Sequence, residues 1–332
     1  MAQMKYFYEL TIYSSPHAHS PVTTQTIMRD VLIALVPALL GSIYFFGFRA
    51  LLVTLVSAAA CVFFEWGFCK IRKLHCKTYD LSAVVTGVLL AFVCPVTIPY
   101  WTIILGDFFA IVLVKMLFGG LGKNIVNPAL AGRAFLFSWP VLMSNWVKVG
   151  FDNAAGLLST ADAVTAATPM SAMHQGALPE ESILDMFLGN IGGCIGETSA
   201  LLLIIGFIYL LYRKVITARI PLAYIGTVAI LAFLFPQGND RIAWMAAQVF
   251  GGGLMLGAIF MATDYVTSPL TKLGQIVYGI GCGVITILIR YFGGYSEGVT
   301  YAILCMNACA VLLDKIGRPV KFGAPKKEAA KK

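Results

Sequence analysis

The sequence predicts an all-α polytopic membrane protein with about ten transmembrane helices, arranged as two inverted five-helix repeats. Of its 332 residues, 59% are hydrophobic and only 12% are charged, and the mean hydropathy is +0.82. These values lie outside the range of soluble globular domains. Apolar runs that approach the ~20 residues needed to cross a bilayer occur at 31–48, 50–69, 81–98, 101–118, 129–147, 191–212, 220–236, 242–262, 275–293 and 299–314.

The distribution of positive charge predicts how these spans are oriented. The net charge is +8, and the basic residues occur in short clusters between apolar runs and in the C-terminal tail. This is the distribution of topology determinants and not of a nucleic-acid-binding face, so we expect no nucleic-acid partner. Lys and Arg concentrate in alternate connections, which predicts a cytoplasmic N-terminal segment 1–28, a basic cytoplasmic tail 317–332 and an extracytoplasmic loop 148–190.

An internal echo predicts the repeat architecture. Phe118-Gly119-Gly120, followed by Asn127-Pro128, is matched by Phe292-Gly293-Gly294, followed by Asn307. Five spans per half is an odd number, so the halves would insert in opposite orientations. We therefore expect a first membrane repeat over 29–147 and a second over 191–316, with the loop 148–190 joining them.

The longest polar interval contains the segment Asp162-Ala163-Val164-Thr165-Ala166-Ala167-Thr168-Pro169. One interpretation is structural, with Thr168 as the N-cap of a helix and Pro169 at its first position. The other is functional, because two hydroxyls separated only by alanines leave room for a phosphate-bearing group to approach. These eight residues alone leave both interpretations open.

Several polar residues within the apolar runs are candidates for function. A charge in a bilayer is costly enough to indicate a functional role, although snorkelling removes much of the cost near a helix end. We therefore regard Asp107, Glu65 and Glu197 as candidate ion-path or partner-contact residues, and we expect Arg133 to have an anionic partner or a polar cavity. Asn127 and Asn307 fit either a cavity lining or close helix packing. The cysteines and histidines show no metal-ligand spacing, so we predict no metal site.

The ordered set of motifs resembles a known family over essentially the whole chain. The motifs are Ser15-Pro16-His17 with Ile27-Met28, Asn124-x-x-Asn127-Pro128-Ala129 with Gly132-Arg133, Asp162 to Pro169, Ala262-Thr263-Asp264 with Thr267-Ser268-Pro269, and Glu297-Gly298-Val299 with Met306-Asn307-Ala308. Together they resemble the RnfD family, which supplies a membrane subunit of Rnf ion-translocating electron-transport complexes. The related family is the NqrB membrane subunit of the sodium-translocating NADH:quinone oxidoreductases.

The resemblance implies that Thr168 carries FMN through a phosphoester bond, with Thr165 and Asp162 at the other motif positions. It also implies an inverted five-plus-five helix fold and a second flavin, non-covalent riboflavin. By the predicted inverted symmetry, we expect Glu297, Thr300 and Asn307 to lie on the outer side with Thr168 and to help form the flavin pocket. The second flavin is then expected at the segment that contains Asn124, Asn127 and Arg133.

The resemblance implies a membrane flavoprotein subunit of a ferredoxin:NAD⁺ oxidoreductase, which relays electrons coupled to Na⁺ or H⁺ transport and is not catalytic alone. The expected partners are the other Rnf subunits, a flavin transferase that matures the protein, and lipid of the bacterial cytoplasmic (inner) membrane. The chain has no Gly-x-Gly-x-x-Gly motif after a strand and no cysteine-cluster pattern, so NAD and iron–sulfur centres should reside on partners. The alternative is an inverted-repeat solute transporter or channel without a redox role, which would have no use for the Asp162 to Thr168 pattern.

Overall fold

A computed structural model describes residues 22–73, 78–143, 146, 168–179, 181–197, 199–238 and 240–317, and this part of the chain is helical and contains no strand. The helices of the first half are α1 (Thr24–Phe46), α2 (Phe48–Ile71), α3 (Ser82–Phe92), α4 (Tyr100–Phe108), which continues as a π-helical stretch (Phe109–Met116), α5 (Pro128–Leu136) and α6 (Pro140–Met143). Those that follow are α7 (Pro169–His174), α8 (Ile183–Leu188), α9 (Ala200–Tyr212), α10 (Arg219–Leu234), α11 (Arg241–Phe250), α12 (Leu254–Leu256), which continues as a π-helical stretch (Gly257–Met261), α13 (Lys272–Phe292) and α14 (Val299–Leu313).

The lengths and compositions of the helices identify a membrane protein. In the part of the chain that the structure describes, three helices, α1, α2 and α13, are long and apolar enough to cross a bilayer. A fourth span is possible if α11 and Leu254–Met261, which meet at a bend of 59°, count as one broken span. Four further helices, α3, α9, α10 and α14, are apolar but shorter. The all-helical membrane class is therefore confirmed, whereas the arrangement of ten spans in inverted repeats stays a prediction.

Several predicted spans are shorter or broken in the structure. The run 81–98 is helical only to Phe92, because Pro95 and Pro99 follow within a turn or two and disfavour helical geometry before them. The run 191–212 becomes helical only at Ala200, and in the run 129–147 helix α5 ends at Leu136, before the short helix α6. The run 242–262 is interrupted at Gly251-Gly252-Gly253, where three glycines weaken the helix.

The non-helical parts of the runs 81–98 and 191–212 lie together in the interior. The backbone N–H of Ile195 donates to the carbonyl of Cys94 at 3.0 Å, and that of Gly196 donates to the carbonyl of Phe92 at 2.9 Å. A Cβ at Gly196 would lie 2.3 Å from the ring of Phe92, so only glycine permits this approach. Irregular backbone at membrane depth is tolerated where it is buried in protein. Here the N–H groups of one segment pair with the carbonyl groups of the other.

The helices pack within each half and across the two halves. Helix α2 packs on α3 and α4, and in the same way α10 packs on α11 and α13. Across the halves, α1 packs on α9 and α5 packs on α14. Glycines permit the closest approaches: a Cβ at Gly87 would lie 2.7 Å from the backbone of Ala58, and one at Gly279 would lie 2.9 Å from the carbonyl of Ile220. Small residues are typical of such membrane helix contacts.

Candidate functional site

Arg133 is the centre of a buried charge cluster that joins three parts of the chain. Helix α5 begins after Asn127, whose side chain caps the N–H of Ala129, and Arg133 lies one and a half turns into the helix with 1% of its surface exposed. Its guanidinium donates to Glu197 Oε1 at 3.2 Å, to Thr300 Oγ1 at 3.1 Å and to Glu297 Oε2. The predicted anionic partner of Arg133 is therefore present, and there are two.

The guanidinium occupies the position that a metal ion would take in this cluster. The possible ligand atoms of Cys194, Glu197 and Glu297 lie within 4.8 Å of one another, and Arg133 donates to all three residues. Two carboxylates face one cation, and Arg133 Nε has no hydrogen-bond partner among the described residues. We call Arg133, Cys194, Glu197, Glu297 and Thr300 the Arg133 cluster.

An aromatic pocket adjoins the Arg133 cluster. The Arg133 guanidinium lies 5.4 Å from the centre of the Phe137 ring, and that ring lies 5.8 Å from the ring of Tyr295. Tyr295 and Tyr301 are 5.0 Å apart between ring centres. With Trp146, Ser296, Glu297, Gly298 and Thr300, these rings line about 350 Å³ of free space, which we call the Tyr295 pocket. Its rings offer faces for stacking beside a carboxylate and a guanidinium.

Thr168 lies at the start of α7 and is buried, with 6% of its surface exposed. Its side chain accepts a hydrogen bond from the N–H of Ser171 at 3.3 Å, and Pro169 occupies the first helical position. The predicted helix cap is thus confirmed, and this geometry leaves the functional interpretation open. Asp162 and Thr165 lie outside the described residues.

Arg290 connects the helix of Thr168 to the loop of Glu297. Its carbonyl pairs with His174 Nδ1 at 2.9 Å, and its Nε donates to the carbonyl of Glu297 at 3.1 Å. The side chain has 2% exposure, and its Nη2 has no hydrogen-bond partner among the described residues. A Cβ at Gly252 would lie 3.3 Å from this Nη2 and 2.9 Å from Met170 Cγ, so the unpartnered nitrogen lies next to α7.

A second pocket gathers three of the sequence motifs. Ile27 and Met28 of α1, Asn124 and Asn127 before α5, and Thr263 and Asp264 after the second π-helical stretch all line it. The space between and in front of these residues, open solvent included, is about 770 Å³, and Lys115 and Ser82 also form part of the wall. Asn124 donates to the carbonyl of Val126, while its Oδ1 has no partner among the described residues. We call this space the Asn124 pocket.

Helices α5 and α14 run antiparallel and connect the two sites. Near the C-terminal end of α5, Arg133 contacts Thr300. At the N-terminal end of α5, the side-chain oxygen of Asn307 accepts a hydrogen bond from the N–H of Asn127 at 3.1 Å, with the Asn307 amide in the orientation that satisfies its hydrogen-bond partners. The prediction from sequence groups Arg133 with Asn124 and Asn127, and Asn307 with Glu297 and Thr300. The structure corrects this grouping: Arg133 joins Glu297 and Thr300, and Asn307 joins Asn127, because each helix spans the distance between the sites.

The candidate ion-path residues fall into separate environments. Glu65 forms a buried ion pair with Lys115 at 3.2 Å, and Lys115 also donates to Ser82 Oγ at 2.7 Å. Glu197 belongs to the Arg133 cluster, and Asp107 contacts Ser57 and Cys61. The prediction from sequence does not include Ser57 or Cys61, although their spacing from Glu65 along α2, with one residue per turn, could have indicated them.

Comparison with known proteins agrees with the motif-based resemblance. The model of the NQR2, RnfD, RnfE family matches residues 11–323. The chain is 46% identical to the D subunit of the Na⁺-translocating ferredoxin:NAD⁺ oxidoreductase complex of Acetobacterium woodii, over 96% of each chain. It is 44% identical to the D subunit of the proton-translocating ferredoxin:NAD⁺ oxidoreductase complex of Clostridium ljungdahlii, over 94% of this chain and 96% of that one.

A more distant relative is the D subunit of the ion-translocating oxidoreductase complex of Actinobacillus succinogenes, 34% identical over 92% of this chain and 96% of the relative. The family match therefore covers both the membrane helices and the motif segments at which the two pockets lie. This chain belongs to the NQR2, RnfD, RnfE family.

Proposed function

We propose that this protein is the membrane flavoprotein subunit of an Rnf-type ferredoxin:NAD⁺ oxidoreductase, and that it relays electrons through FMN attached to Thr168. The observation that carries the proposal is the position of Thr168, the last threonine of the Asp162 to Thr168 motif. It is buried at the start of α7, and Met170 of the same helix lies next to Arg290 Nη2, a cationic nitrogen without a hydrogen-bond partner among the described residues. The names of the relatives support the role in a complex.

The residues near Thr168 fit a phosphate-linked flavin. An esterified phosphate keeps a negative charge, and burying it is costly unless a cation is close. Arg290 Nη2, unpartnered among the described residues and next to Met170 of the same helix as Thr168, supplies such a cation. The rings of Phe137, Tyr295 and Tyr301 offer a surface on which a flat ring system can stack.

When bound, FMN supplies reversible electron transfer, while the protein supplies position, orientation and electrostatics. Thr168 is an anchor that fixes depth and orientation. Arg290 would hold the negative charge of the phosphate beside α7, and its contacts with His174 and Glu297 tie that helix to the Glu297 loop. Arg133 holds the carboxylates of Glu197 and Glu297 in place at the edge of the Tyr295 pocket.

The test of this proposal uses the protein expressed with its flavin transferase, denatured and viewed on a gel under ultraviolet light. The wild type is expected to give a fluorescent band, and Thr168→Val is expected to give none, because valine has no hydroxyl to esterify. Ser171→Ala is the matched control, since it removes the hydroxyl that donates to the Thr168 carbonyl in the same turn. A band that survives Thr168→Val would overturn the attachment site.

The Asn124 pocket is the proposed site of a second, non-covalent flavin, with riboflavin as the expected form. Its lining combines apolar side chains with a few polar groups, as is typical of ligand pockets. The Oδ1 of Asn124, unpartnered in the described part of the chain, offers a hydrogen-bond acceptor in a mostly apolar wall. Arg133, which lies at the other site, is no longer assigned to this flavin.

Asn124→Leu is expected to lower the flavin released by denaturing the purified protein, because leucine cannot accept a hydrogen bond. The covalent band of Thr168 should persist. Thr86→Val is the control, since the Thr86 hydroxyl lines the same pocket but is engaged by the carbonyl of Ser82. Equal amounts of released flavin in the wild type and Asn124→Leu would contradict this assignment.

We further propose that the protein has the ten-span inverted-repeat architecture, with both termini cytoplasmic and the Thr168 loop outside. The packing supports this architecture. The first helix of one half, α1, packs on the first helix of the other, α9, and the fifth helices, α5 and α14, also pack on each other. A pseudo-two-fold axis between the halves would produce both contacts. The complex would lie in the bacterial cytoplasmic membrane with other Rnf subunits, and a flavin transferase would mature this one. One relative is named as Na⁺-translocating and another as proton-translocating, and this chain is similarly identical to both, so we propose that the transported ion is Na⁺ or a proton.

The second candidate function is an inverted-repeat transporter or channel without a redox role. The observation that favours a transporter or channel is an open pocket within a helical membrane protein. The two functions differ in the gel experiment, because a transporter would give no fluorescent band that depends on Thr168.

A further inference from the structure

Asp107 is a buried acid that the flavin sites do not use. It lies on α4, two residues before the π-helical stretch Phe109–Met116, with 0% of its surface exposed. Such π-helical stretches recur at functional sites. A buried acid in a membrane protein needs either a compensating cation or a proton.

A proton on Asp107 accounts for the hydrogen bonds around it. Ser57 Oγ lies 2.7 Å from Asp107 Oδ1 and 2.8 Å from the carbonyl oxygen of Gly87. The Ser57 hydroxyl has one hydrogen, so it can form a linear hydrogen bond to only one of these oxygens. If Asp107 were ionised, the other contact would bring two acceptors together without a hydrogen. A carboxylic acid at Asp107 resolves this, because it donates to Ser57, which then donates to Gly87.

The described residues around Asp107 include no cation that pairs with it. None of the ion pairs among the described residues includes it. From α2 it meets Ser57 and Cys61, from α3 the Gly87 carbonyl lies behind Ser57, and from α5 Leu136 packs on the adjacent Gly106. The cations on the neighbouring elements are engaged elsewhere: Lys115 is paired with Glu65, and Arg133 is paired with Glu197 and Glu297.

A row of polar side chains leads from Asp107 to the Asn124 pocket. Ser57, Cys61 and Glu65 are all buried and follow one another at one-turn spacing on α2, so they share a face of that helix. Cys61 Sγ donates to Asp107 Oδ1 at 3.2 Å, and one turn on, Glu65 accepts from Lys115 at 3.2 Å. Lys115 and its partner Ser82 line the Asn124 pocket.

We propose that Asp107 is an exchangeable proton-binding site, connected to the Asn124 pocket by the polar row of α2, and that ion transport by the complex depends on it. The inference rests on the proposed function, in which the complex moves Na⁺ or protons. The step is a proton exchange: the O–H bond of the Asp107 acid breaks and its proton passes to solvent through the Asn124 pocket, which leaves a carboxylate, and a proton later taken up from solvent re-forms the O–H bond. No electron and no other bond is involved.

The first experiment uses the whole complex in proteoliposomes with a voltage-sensitive dye, which reports charge movement by either ion. Asp107→Asn keeps the size of the acid and a donor to Ser57 but has no exchangeable carboxyl proton. We expect the Thr168 fluorescent band and electron transfer to persist and charge movement to be lost. The control is Thr102→Val on the same helix, which removes a buried hydroxyl without a hydrogen-bond partner among the described residues and should leave charge movement unchanged.

The second experiment tests the proton itself on the wild-type complex and does not depend on how a variant folds. Dicyclohexylcarbodiimide dissolves in membranes and reacts with protonated carboxyl groups. Peptide mass spectrometry should find it on Asp107, and modified complex should lose charge movement. Charge movement at the wild-type rate in Asp107→Asn, or an Asp107 peptide without label, would overturn the inference. A missing Thr168 band in the wild type would instead overturn the proposed function.

Discussion

Replacing Arg133 by leucine is expected to destabilise the protein more than loss of any other buried charge. The change leaves the buried Glu197 and the half-buried Glu297 close together without their shared cation. Removing one partner of a buried charged group costs about 3–5 kcal/mol, and here two carboxylates lose the same partner. The measurement is the temperature at which half of the detergent-solubilised complex leaves the monodisperse peak in size-exclusion chromatography, and it should fall sharply.

Two variants separate the charge of Arg133 from its shape. Arg133→Lys keeps the charge but has one donor group in place of a planar fork, so an intermediate loss is expected. Arg133→Leu combined with Glu197→Gln removes one buried negative charge and should recover part of the stability lost in Arg133→Leu. If Arg133→Leu had the stability of the wild type, the buried cluster would not hold the three parts of the chain together.

Lys115→Met is the second large effect that we expect. Methionine matches the length of the lysine stem, but it leaves the Glu65 carboxylate buried at 5% exposure with no cation. The cost should again be about 3–5 kcal/mol, whereas the double variant Lys115→Met with Glu65→Gln removes both charges and should be much less damaging. The same chromatographic measurement applies.

A double variant as unstable as Lys115→Met would contradict this account of the pair. It would mean that the loss comes from the contact between Lys115 and Ser82, and not from an uncompensated carboxylate.

The sequence was sufficient to predict the helical membrane class, because composition and long apolar runs determine it. It also predicted the cap at Thr168, since a threonine before a proline carries its own local geometry. Helix ends were less predictable. The apolar runs 81–98 and 191–212 contain backbone that is buried but not helical, and hydropathy does not distinguish a buried irregular segment from a helix.

The grouping of the polar residues could not be predicted from sequence. Arg133 meets Glu297 across 164 positions and Lys115 meets Glu65 across 50, and neither pairing follows from local spacing. Local spacing groups Arg133 with its sequence neighbours Asn124 and Asn127. In the structure, helix α5 separates Arg133 from Asn127, so Arg133 contacts Thr300 while Asn127 contacts Asn307. The orphaned nitrogen of Arg290 likewise emerges only from the tertiary structure, because its neighbours Gly252 and Met170 are remote in sequence.

The most direct test of the central claim is the mass of the peptide that contains Thr168, taken from protein produced with its flavin transferase. We expect a peptide heavier than the unmodified sequence by FMN less one water, with the fragment ions placing that mass on Thr168. A peptide of unmodified mass, or a flavin located on another residue, would contradict it.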